Sequence, residues 1–212
     1  MNEACTWLAA TAVSPKARLW MSEFCILGDP GDIRKFGGPG YDVNDMELAL
    51  HTARVIHRDM TRLNVAAWFW WLAVTPYDYK DGLLKIDPSL EADTLRESKL
   101  MWALGNFSRF IRPGFYRLEM PGVDDLTGVM ASAYKDPENS RLVVVVINAG
   151  ATNEQLQFNI GGLPSGRKLG EFQTYVTNSA YNLASKQTTS KHEKHVIPAK
   201  SIVTFVASIS DR

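Results

Sequence analysis

Glu23 is the residue whose position best suits it for chemistry. It lies near the end of an apolar segment, residues 19–25, and a loop rich in glycine and proline, residues 28–40, follows closely. In folds built on a parallel sheet, active sites form at the carboxyl ends of the strands. The spacing alone, however, is more typical of a glutamate that merely meets solvent at the end of a strand.

Aromatic side chains gather near the end of the next apolar segment. The run at residues 68–71 reads Trp-Phe-Trp-Trp, and Tyr77 and Tyr79 follow it. Aromatic faces stack on the C–H faces of sugar rings, and Glu23 would end the adjacent strand. This combination favours a carbohydrate site over a glutamate that only meets solvent.

The four residues of the aromatic run are unequal candidates for binding. We expect Trp68 and Phe69 to pack in the core, because large aromatic side chains are often buried. Trp70 and Trp71 lie nearer the carboxyl end of the segment. One of them is the better candidate for a sugar platform, since alternation along a strand points one of the two inward.

Two segments that resemble strands and two that resemble helices precede residue 113. The apolar stretches at 17–24 and 65–74 predict strands buried on both faces, hence a parallel sheet. Between them, spacings of three and four predict an amphipathic helix over 45–63, with a capping box at Asn44 and Glu47. A second helix is predicted over 92–111. The order is strand, helix, strand, helix.

The remainder of the chain reads as antiparallel β-structure. Turn-forming residues separate six predicted strands, at 115–119, 126–135, 141–149, 154–160, 169–176 and 201–208. We interpret this pattern as a β-sandwich and the polar stretch 185–194 as a long hairpin loop. Proline and glycine at 113–114 would end a helix, and we place a domain boundary there.

Composition excludes several classes of protein. The chain has 212 residues, of which 45% are hydrophobic, and its 23 basic and 23 acidic side chains give a formal net charge of +0, so a folded core is expected and a nucleic-acid partner is not. The longest apolar run is about half the roughly 20 residues that a membrane-spanning helix needs. Cys5 and Cys25 form no disulfide framework and have no zinc-ligand spacing. We expect no metal ion and no cofactor.

Several segments together resemble glycoside hydrolase family 30, and especially its endo-β-1,6-galactanase-like branch. The resemblance spans nearly the whole chain, and it is the order and spacing of the motifs that make it specific. The motifs are Leu-Trp-Met-Ser-Glu-Phe-Cys at 19–25 followed by Ile-Leu-Gly-Asp, Ala-Trp-Phe-Trp-Trp-Leu-Ala-Val at 67–74, Tyr-Lys-Asp-Gly-Leu at 79–83, Ser-Lys-Leu-Met-Trp-Ala-Leu-Gly-Asn-Phe-Ser-Arg-Phe-Ile-Arg-Pro-Gly at 98–114 and Pro-Ala-Lys-Ser-Ile-Val-Thr at 198–204.

The resemblance implies the C-terminal fragment of a (β/α)8 TIM barrel followed by an antiparallel β-sandwich. Residues 1–113 would hold the seventh and eighth βα units, with strands at 19–24 and 65–72 and the final helix at 92–111. Residues 114–212 would form the sandwich.

The resemblance also implies a retaining mechanism, in which one carboxylate attacks the anomeric carbon and another protonates the leaving oxygen. Glu23 matches the nucleophile. Trp70, and less surely Trp71, match the region that lines the sugar subsite, and Tyr77 and Tyr79 would wall its rim.

The general acid of the family belongs to an Asn-Glu pair that ends the fourth strand. Asn2-Glu3 imitates that pair, but Glu3 precedes Glu23 by only 20 positions, whereas fourth and seventh strand ends lie about 90 residues apart in a barrel of about 250 residues. We therefore expect no catalytic role for Glu3. The chain would be the C-terminal portion of a longer enzyme, inactive alone.

The expected partners are a polysaccharide or oligosaccharide and the missing N-terminal barrel segment, without which 1–113 should be poorly stable or associate. The full-length enzyme would be extracellular, although the chain carries no signal peptide. Related activities stay open, namely glucosylceramidase-like or β-1,6-glucanase activity. A non-catalytic carbohydrate-binding sandwich is the alternative from another class, and a sandwich that only supports the barrel is the preferred account of 114–212.

The remaining candidate residues favour structural interpretations. His51 and His57 would be a surface and a packed histidine on one helix, and His192 and His195 would lie in the solvated hairpin. Cys25 would be a small buried side chain. Arg109 and Arg112, at the end of the final helix, suit its negative end and would anchor the sandwich to the barrel in preference to binding substrate.

Overall fold

The structure is a computed structural model, and it describes residues 18–27, 40, 42–77, 79–86, 94–120, 122–125, 128–163 and 165–211. The described chain is mostly β-sheet with few helices. Its contacts divide it into two compact units, Met1–Val43 with Val55–Ser98 and Asn44–Arg54 with Lys99–Arg212. The predicted boundary at 112–114 lies inside the second unit, and the division into domains 1–113 and 114–212 stays a prediction.

Two parallel strands form the part of the first unit that carries Glu23. Strand β1, Trp20–Phe24, pairs in parallel with β2, Ala67–Trp70. Between them in sequence run helix α1, Met46–Arg58, and a π-helical turn, Asp59–Leu63. The parallel pairing and the intervening helix predicted from the sequence are therefore confirmed.

The ends of the predicted helix differ in detail from the expectation. The carboxylate of Asp45 accepts the backbone N–H of Leu48 at 3.0 Å, so Asp45 supplies a side-chain bond at the start of α1 that the sequence assigned to Asn44. Asn64 adopts a left-handed conformation, with φ of 53°, and its N–H bonds the carbonyl of Asp59. This ends the π-helical turn just before β2.

A small three-stranded sheet follows β2 and was not predicted. Strand β3, Val74–Thr75, is parallel to β4, Leu84–Ile86, and β4 is antiparallel to β5, Leu95–Glu97. The predicted strand over 65–74 is therefore two strands separated by an irregular segment. The predicted helix over 92–111 is wrong at its start, because residues 95–97 pair with β4 and α2 extends only over Lys99–Ser108.

A six-stranded antiparallel sheet dominates the second unit. The strands of this unit are β6 Tyr116–Leu118, β7 Val129–Lys135, β8 Arg141–Asn148, β9 Glu154–Leu156, β10 Arg167–Thr177, β11 Ala184–Ser185, β12 His195–Ile197 and β13 Ser201–Asp211. The order in the sheet is β11-β10-β13-β8-β7-β6, and β9 pairs separately with β12. All six predicted strands are observed with shifted ends, and β11 and β12 were not predicted. The sandwich assignment stays a prediction.

The two faces of this sheet are buried in different ways. One face carries the apolar core of the unit, which includes Phe172 and Phe205. Asn106 of α2 is fully buried. Its side-chain amide donates to the hydroxyl of Thr177 on β10 at 2.7 Å, and its side-chain oxygen accepts the hydroxyl of Thr204 on β13 at 2.9 Å. This side-chain network fixes α2 on the sheet, because a buried amide left without partners would be costly.

His195 is buried, which corrects its assignment to a solvated hairpin. Its ring lies 4.9–5.8 Å from the rings of Phe158, Phe172 and Phe205, and its Nδ1 is 3.2 Å from the hydroxyl of Thr189. Residues 195–197 pair with β9, and this pairing draws the imidazole into the core.

The other three histidines and Cys25 complete the comparison with the sequence. His192 is exposed, His57 is buried and His51 is partly exposed, all as predicted. Cys25 is only half-buried, so the expectation of a buried thiol is wrong.

Burial of His195 should make the stability of the second unit depend on pH. Burial lowers the pKa of this imidazole below its ordinary 6.5, and the charge of Glu193 offsets part of that effect. Below pH 6.5 the unfolded chain therefore binds a proton that the folded chain does not. We expect the free energy of unfolding to fall as the pH drops through 6.5 and to lack this contribution above it.

Urea unfolding at pH 7.5, 6.5 and 5.5 checks this expectation. His195→Gln should remove the component of the pH dependence that is due to the buried imidazole. His192→Gln, at an exposed position shortly before His195 in the chain, is the matched control and should retain it. Equal pH profiles for the native chain and His195→Gln would contradict the prediction.

Candidate active site

An irregularity in the pairing of β1 with β2 determines where Glu23 lies. Met21 pairs with Trp68 and Phe24 pairs with Trp70, so three steps along β1 match two along β2. The extra residue forms a bulge at Ser22 and Glu23, and both side chains are exposed. Bulges of this kind redirect a side chain and are frequent beside active sites.

The paired residues on either side of the bulge form an aromatic cluster. The ring of Phe24 lies 5.7 Å from that of Trp68 and 5.8 Å from that of Trp70, and the two indoles are stacked at 6.3 Å. These contacts place the three side chains together beside the carboxylate-bearing bulge. Glu23 thus directly precedes Phe24, the residue that pairs with Trp70.

Hydrogen bonds fix both indoles of this cluster. Trp68 donates from Nε1 to Oδ2 of Asp59 at 2.8 Å, and Trp70 donates from Nε1 to the backbone oxygen of Asp81. Burial raises the pKa of Asp59, and the bond from Trp68 and the charge of Arg58 oppose that rise. The indole N–H groups therefore serve the fold, and only the ring surfaces could serve a sugar.

Phe69 is not packed in the core, which corrects the expectation for this residue. Its side chain is 48% exposed, and its ring lies 6.0 Å from that of Trp20, which is 56% exposed. Alternation along β2 directs Phe69 away from Trp68 and Trp70. Trp68 itself is half-buried and packed, as expected.

Trp71 directly follows β2 and extends the pairing with β1. Its backbone N–H donates to the oxygen of Phe24 at 2.9 Å, and the peptide bond to Leu72 is cis. The side chain is 50% exposed. Trp70 and Trp71 are therefore both brought to the end of β1 at which Glu23 lies.

Tyr77 and Tyr79 form a separate exposed pair. Their rings lie 6.3 Å apart, and the N–H of Tyr77 is bonded to the hydroxyl of Thr75. No hydrogen bond or ring contact joins either tyrosine to β1 or β2 within the described ranges. The structure thus brings the two tyrosines to each other without joining them to Glu23.

The segment around Asp81 holds the aromatic residues in place and does not stand out in the sequence as a site. The backbone oxygen of Asp81 accepts the Trp70 indole N–H and the N–H of Leu72. Its side chain is buried, with no hydrogen-bond partner for Oδ1 among the residues described, and burial raises the pKa of the carboxyl. The Asp-Gly pair at 81–82 signals only a turn.

The site offers side chains for acid–base or covalent chemistry. Where the structure describes the chain, three or more His, Cys, Asp or Glu residues nowhere cluster in a way that could hold a metal ion. No helix in those same ranges has the length and apolar character needed to cross a bilayer. Glu3 and the loop at 28–39 lie outside the described residues.

Comparison with known proteins identifies the group to which this arrangement is related. Residues 3–85 match the model for O-Glycosyl hydrolase family 30. Glucuronoxylanase XynC of Bacillus subtilis (strain 168) is 26% identical over 176 residues, which are 80% of this chain and 37% of that protein. These matches support glycoside hydrolase family 30.

A second relative and two solved structures are also similar to this chain. Another Bacillus subtilis Glucuronoxylanase XynC is 28% identical over 74% of this chain and 34% of its own length. A conserved exported protein from Bacteroides fragilis has a TM-score of 0.77 at 25% identity, over 96% of this chain and 41% of that one. The family 30 subfamily 8 xylanase Xyn30A of Clostridium acetobutylicum has a TM-score of 0.70 at 24% identity, over 94% and 44%.

The family 30 matches support a glycoside hydrolase enzyme as the class of protein. The chain spans just over a third of the length of the curated relatives it matches. Those relatives are named for xylan, so they lend no support to the galactanase branch that the sequence motifs favoured.

Proposed function

We propose that this chain carries the nucleophile of a retaining O-glycosyl hydrolase that acts on β-linked polysaccharide. The observation that carries the proposal is the bulge in β1, which leaves Glu23 exposed beside the aromatic end of a parallel partner strand. An exposed carboxylate can reach the anomeric carbon of a bound sugar, and the adjacent ring surfaces can stack on that sugar.

In the proposed mechanism, a carboxylate oxygen of Glu23 attacks the anomeric carbon as the glycosidic bond breaks. A second carboxyl group protonates the leaving oxygen, and water then hydrolyses the glycosyl-enzyme ester. In retaining enzymes the two carboxyl groups are about 5–5.5 Å apart. Trp70 and Trp71 would stack on the sugar that is attacked, and Tyr77 and Tyr79 would border the subsite.

We further propose that the general acid comes from polypeptide other than these 212 residues. The spacing of Glu3 and Glu23 in the chain argues against Glu3 as the acid. In this proposal the chain alone does not turn over an unactivated polysaccharide, because the leaving oxygen receives no proton.

The proposed architecture is the C-terminal part of a (β/α)8 barrel over 1–113 and a β-sandwich over 114–212. The parallel β1–β2 pair supports the first part, and the antiparallel sheet of the second unit supports the second. Likeness to solved family 30 structures over 94–98% of the chain supports both. We propose an extracellular location, in line with the exported protein among the similar structures.

Two polysaccharides are candidate substrates. The sequence motif at 20–29 favours β-1,6-galactan, and the names of the relatives favour a xylan that bears glucuronic acid. Covalent trapping of the nucleophile distinguishes these candidates. The two trapping reagents are the 2,4-dinitrophenyl 2-deoxy-2-fluoro glycosides of β-1,6-galactobiose and of xylobiose.

The test uses a chimera in which this chain replaces the matched segment of the Bacillus subtilis glucuronoxylanase. Peptide mapping should find one fluorosugar attached to the peptide that contains Glu23. The sugar that labels identifies the substrate class. Labelling of a different carboxylate would overturn the assignment of Glu23, and trapping of neither sugar, in a chimera that folds, would contradict the retaining mechanism.

A further inference from the structure

A groove in the second unit lies at the end of helix α2, within the residues of that unit. Its volume is about 440 Å³, and its lining includes Arg109, Phe110, Arg141, Tyr175 and Ser208. This volume is in the range of sites for small molecules. The groove contains two guanidinium groups and two aromatic rings, and no acidic residue lines it.

Arg109 is held in the groove by the aromatic rings. Its guanidinium carbon lies 5.5 Å from the centre of the Phe110 ring and 5.4 Å from that of Tyr175, and the two rings are 4.6 Å apart. These distances are within the range of cation–π attraction. These ring contacts hold the guanidinium group in place without using its N–H groups as hydrogen-bond donors.

The N–H groups of both arginine side chains lack protein acceptors. Among the described residues, neither Arg109 nor Arg141 forms an ion pair or a side-chain hydrogen bond. By contrast, Arg112 donates to the backbone oxygen of Ser108 at 2.8 Å. Arg109 directly follows α2, and its guanidinium contacts Tyr175 of β10 instead.

Asp136, which precedes Arg141 in the turn before β8, is already occupied by hydrogen bonds. Asp136 accepts the backbone N–H of Ser140 at 2.7 Å and that of Arg141 at 2.9 Å, as well as the Ser140 hydroxyl. Burial acts to raise the pKa of Asp136, but these bonds and the charge of Arg141 outweigh it and lower the pKa. Asp136 therefore shapes the rim of the groove as a bonded carboxylate.

We propose that this groove binds a uronic acid residue of an acidic saccharide, with the sugar carboxylate on Arg109 and Arg141. An ordered guanidinium with free N–H groups matches a carboxylate in a two-bond geometry, and Tyr175 offers an adjacent ring for the sugar. The proposal rests on the proposed function for its choice of a saccharide. It adds a binding site formed by residues of the second unit, and it assigns the charged group of the saccharide to that site.

Binding by the full 212-residue chain tests the proposal by calorimetry at low ionic strength. The probe is xylotetraose that bears one glucuronic acid, and the comparisons are unsubstituted xylotetraose, free glucuronate and inorganic phosphate. We expect the acidic oligosaccharide to bind at least tenfold more tightly than the neutral one. Added salt should weaken the binding of the acidic oligosaccharide and leave that of the neutral one unchanged. Equal affinity for the two oligosaccharides would overturn the proposal, as would phosphate binding as tightly as the acidic probe.

Substitutions in the groove show which residues bind the acidic probe. Arg109→Gln and Arg141→Gln should each weaken binding of the acidic probe about tenfold, and Arg109→Lys should restore only part of it, because the ammonium lacks the planar fork. Arg117→Gln, at an exposed site on β6, is the matched control. Thermal unfolding checks each fold, and Arg141→Gln keeps the test valid if Arg109→Gln unfolds. Unchanged affinity in both glutamine variants would overturn the proposal.

The groove and the proposed active site can fail separately. If the fluorosugars fail to label Glu23 but the acidic probe binds through the arginines, only the proposed function is wrong. If Glu23 is labelled but the arginine variants bind normally, only the groove proposal is wrong.

Discussion

Replacing Glu23 with glutamine is expected to lower kcat for polysaccharide cleavage by a factor on the order of 10⁴ or more, as the loss of a catalytic nucleophile does in other enzymes. The amide has nearly the same shape, but it cannot form the glycosyl-enzyme ester. The measurement is release of reducing sugar by the chimera that carries this chain.

Matched variants show whether the loss is specific to Glu23. Glu97→Gln, at an exposed glutamate on β5, should keep activity within about twofold, as expected of a surface substitution away from any site. Glu3→Gln should do the same, because its spacing from Glu23 in the chain argues against a catalytic role. A loss in Glu3→Gln as large as that in Glu23→Gln would show that Glu3 takes part in catalysis.

A second measurement gives a gain of function. Glu23→Gly leaves space for a small anion, so azide should restore cleavage of an aryl glycoside with a good leaving group. The product should be a glycosyl azide of inverted configuration, because the anion attacks from the side that Glu23 occupies. Activity of Glu23→Gln near the native value, or no response of Glu23→Gly to azide, would contradict the assignment of the nucleophile.

The position of the Glu23 carboxylate shows which features of the site can be predicted from sequence patterns. Apolar runs predicted β1, β2 and their parallel pairing, because buried strands leave a local signature. The bulge at Ser22 and Glu23 leaves none, since it exists only in the register between two strands that are more than forty residues apart in the chain. The residue and its place near a strand end could be chosen from the sequence, and the bulge that carries it could not.

Long-range pairing also accounts for the predictions that were wrong. Residues 95–97 continue an apparent helix pattern, yet they form β5 because β4 offers a free edge. The polar loop that contains His195 resembles a solvated hairpin, yet pairing of β12 with β9 buries the imidazole. In both segments local propensity is overridden by a partner strand that periodicity does not reveal.

Gly82→Ala tests whether the segment after β2 is needed to position Trp70. A Cβ at this residue would overlap Cγ2 of Thr75 and lie 2.9 Å from the backbone oxygen of Leu84. Thr75 is fully buried, and its β-branched side chain cannot turn away freely. We expect a loss of about 1–3 kcal/mol in the free energy of unfolding, as for other overpacked sites.

The same substitution should disturb the active site. Gly82 adjoins Asp81, whose backbone oxygen accepts the Trp70 indole N–H, so a shift of this segment moves the ring that would stack on the sugar. We expect lower cleavage by the chimera and a change in tryptophan fluorescence.

Thr75→Ser separates the overlap from other effects of the alanine. It removes Cγ2 and keeps the hydroxyl that accepts the N–H of Tyr77, so the double variant should regain part of the stability and of the activity. Gly161→Ala, where an added Cβ meets no atom within 4 Å, is the control for a glycine substitution and should stay within about 0.5 kcal/mol of the native chain. If Gly82→Ala is as stable and active as Gly161→Ala, the contact with Thr75 does not hold Trp70 in place, and the sugar platform must be positioned by β2 alone.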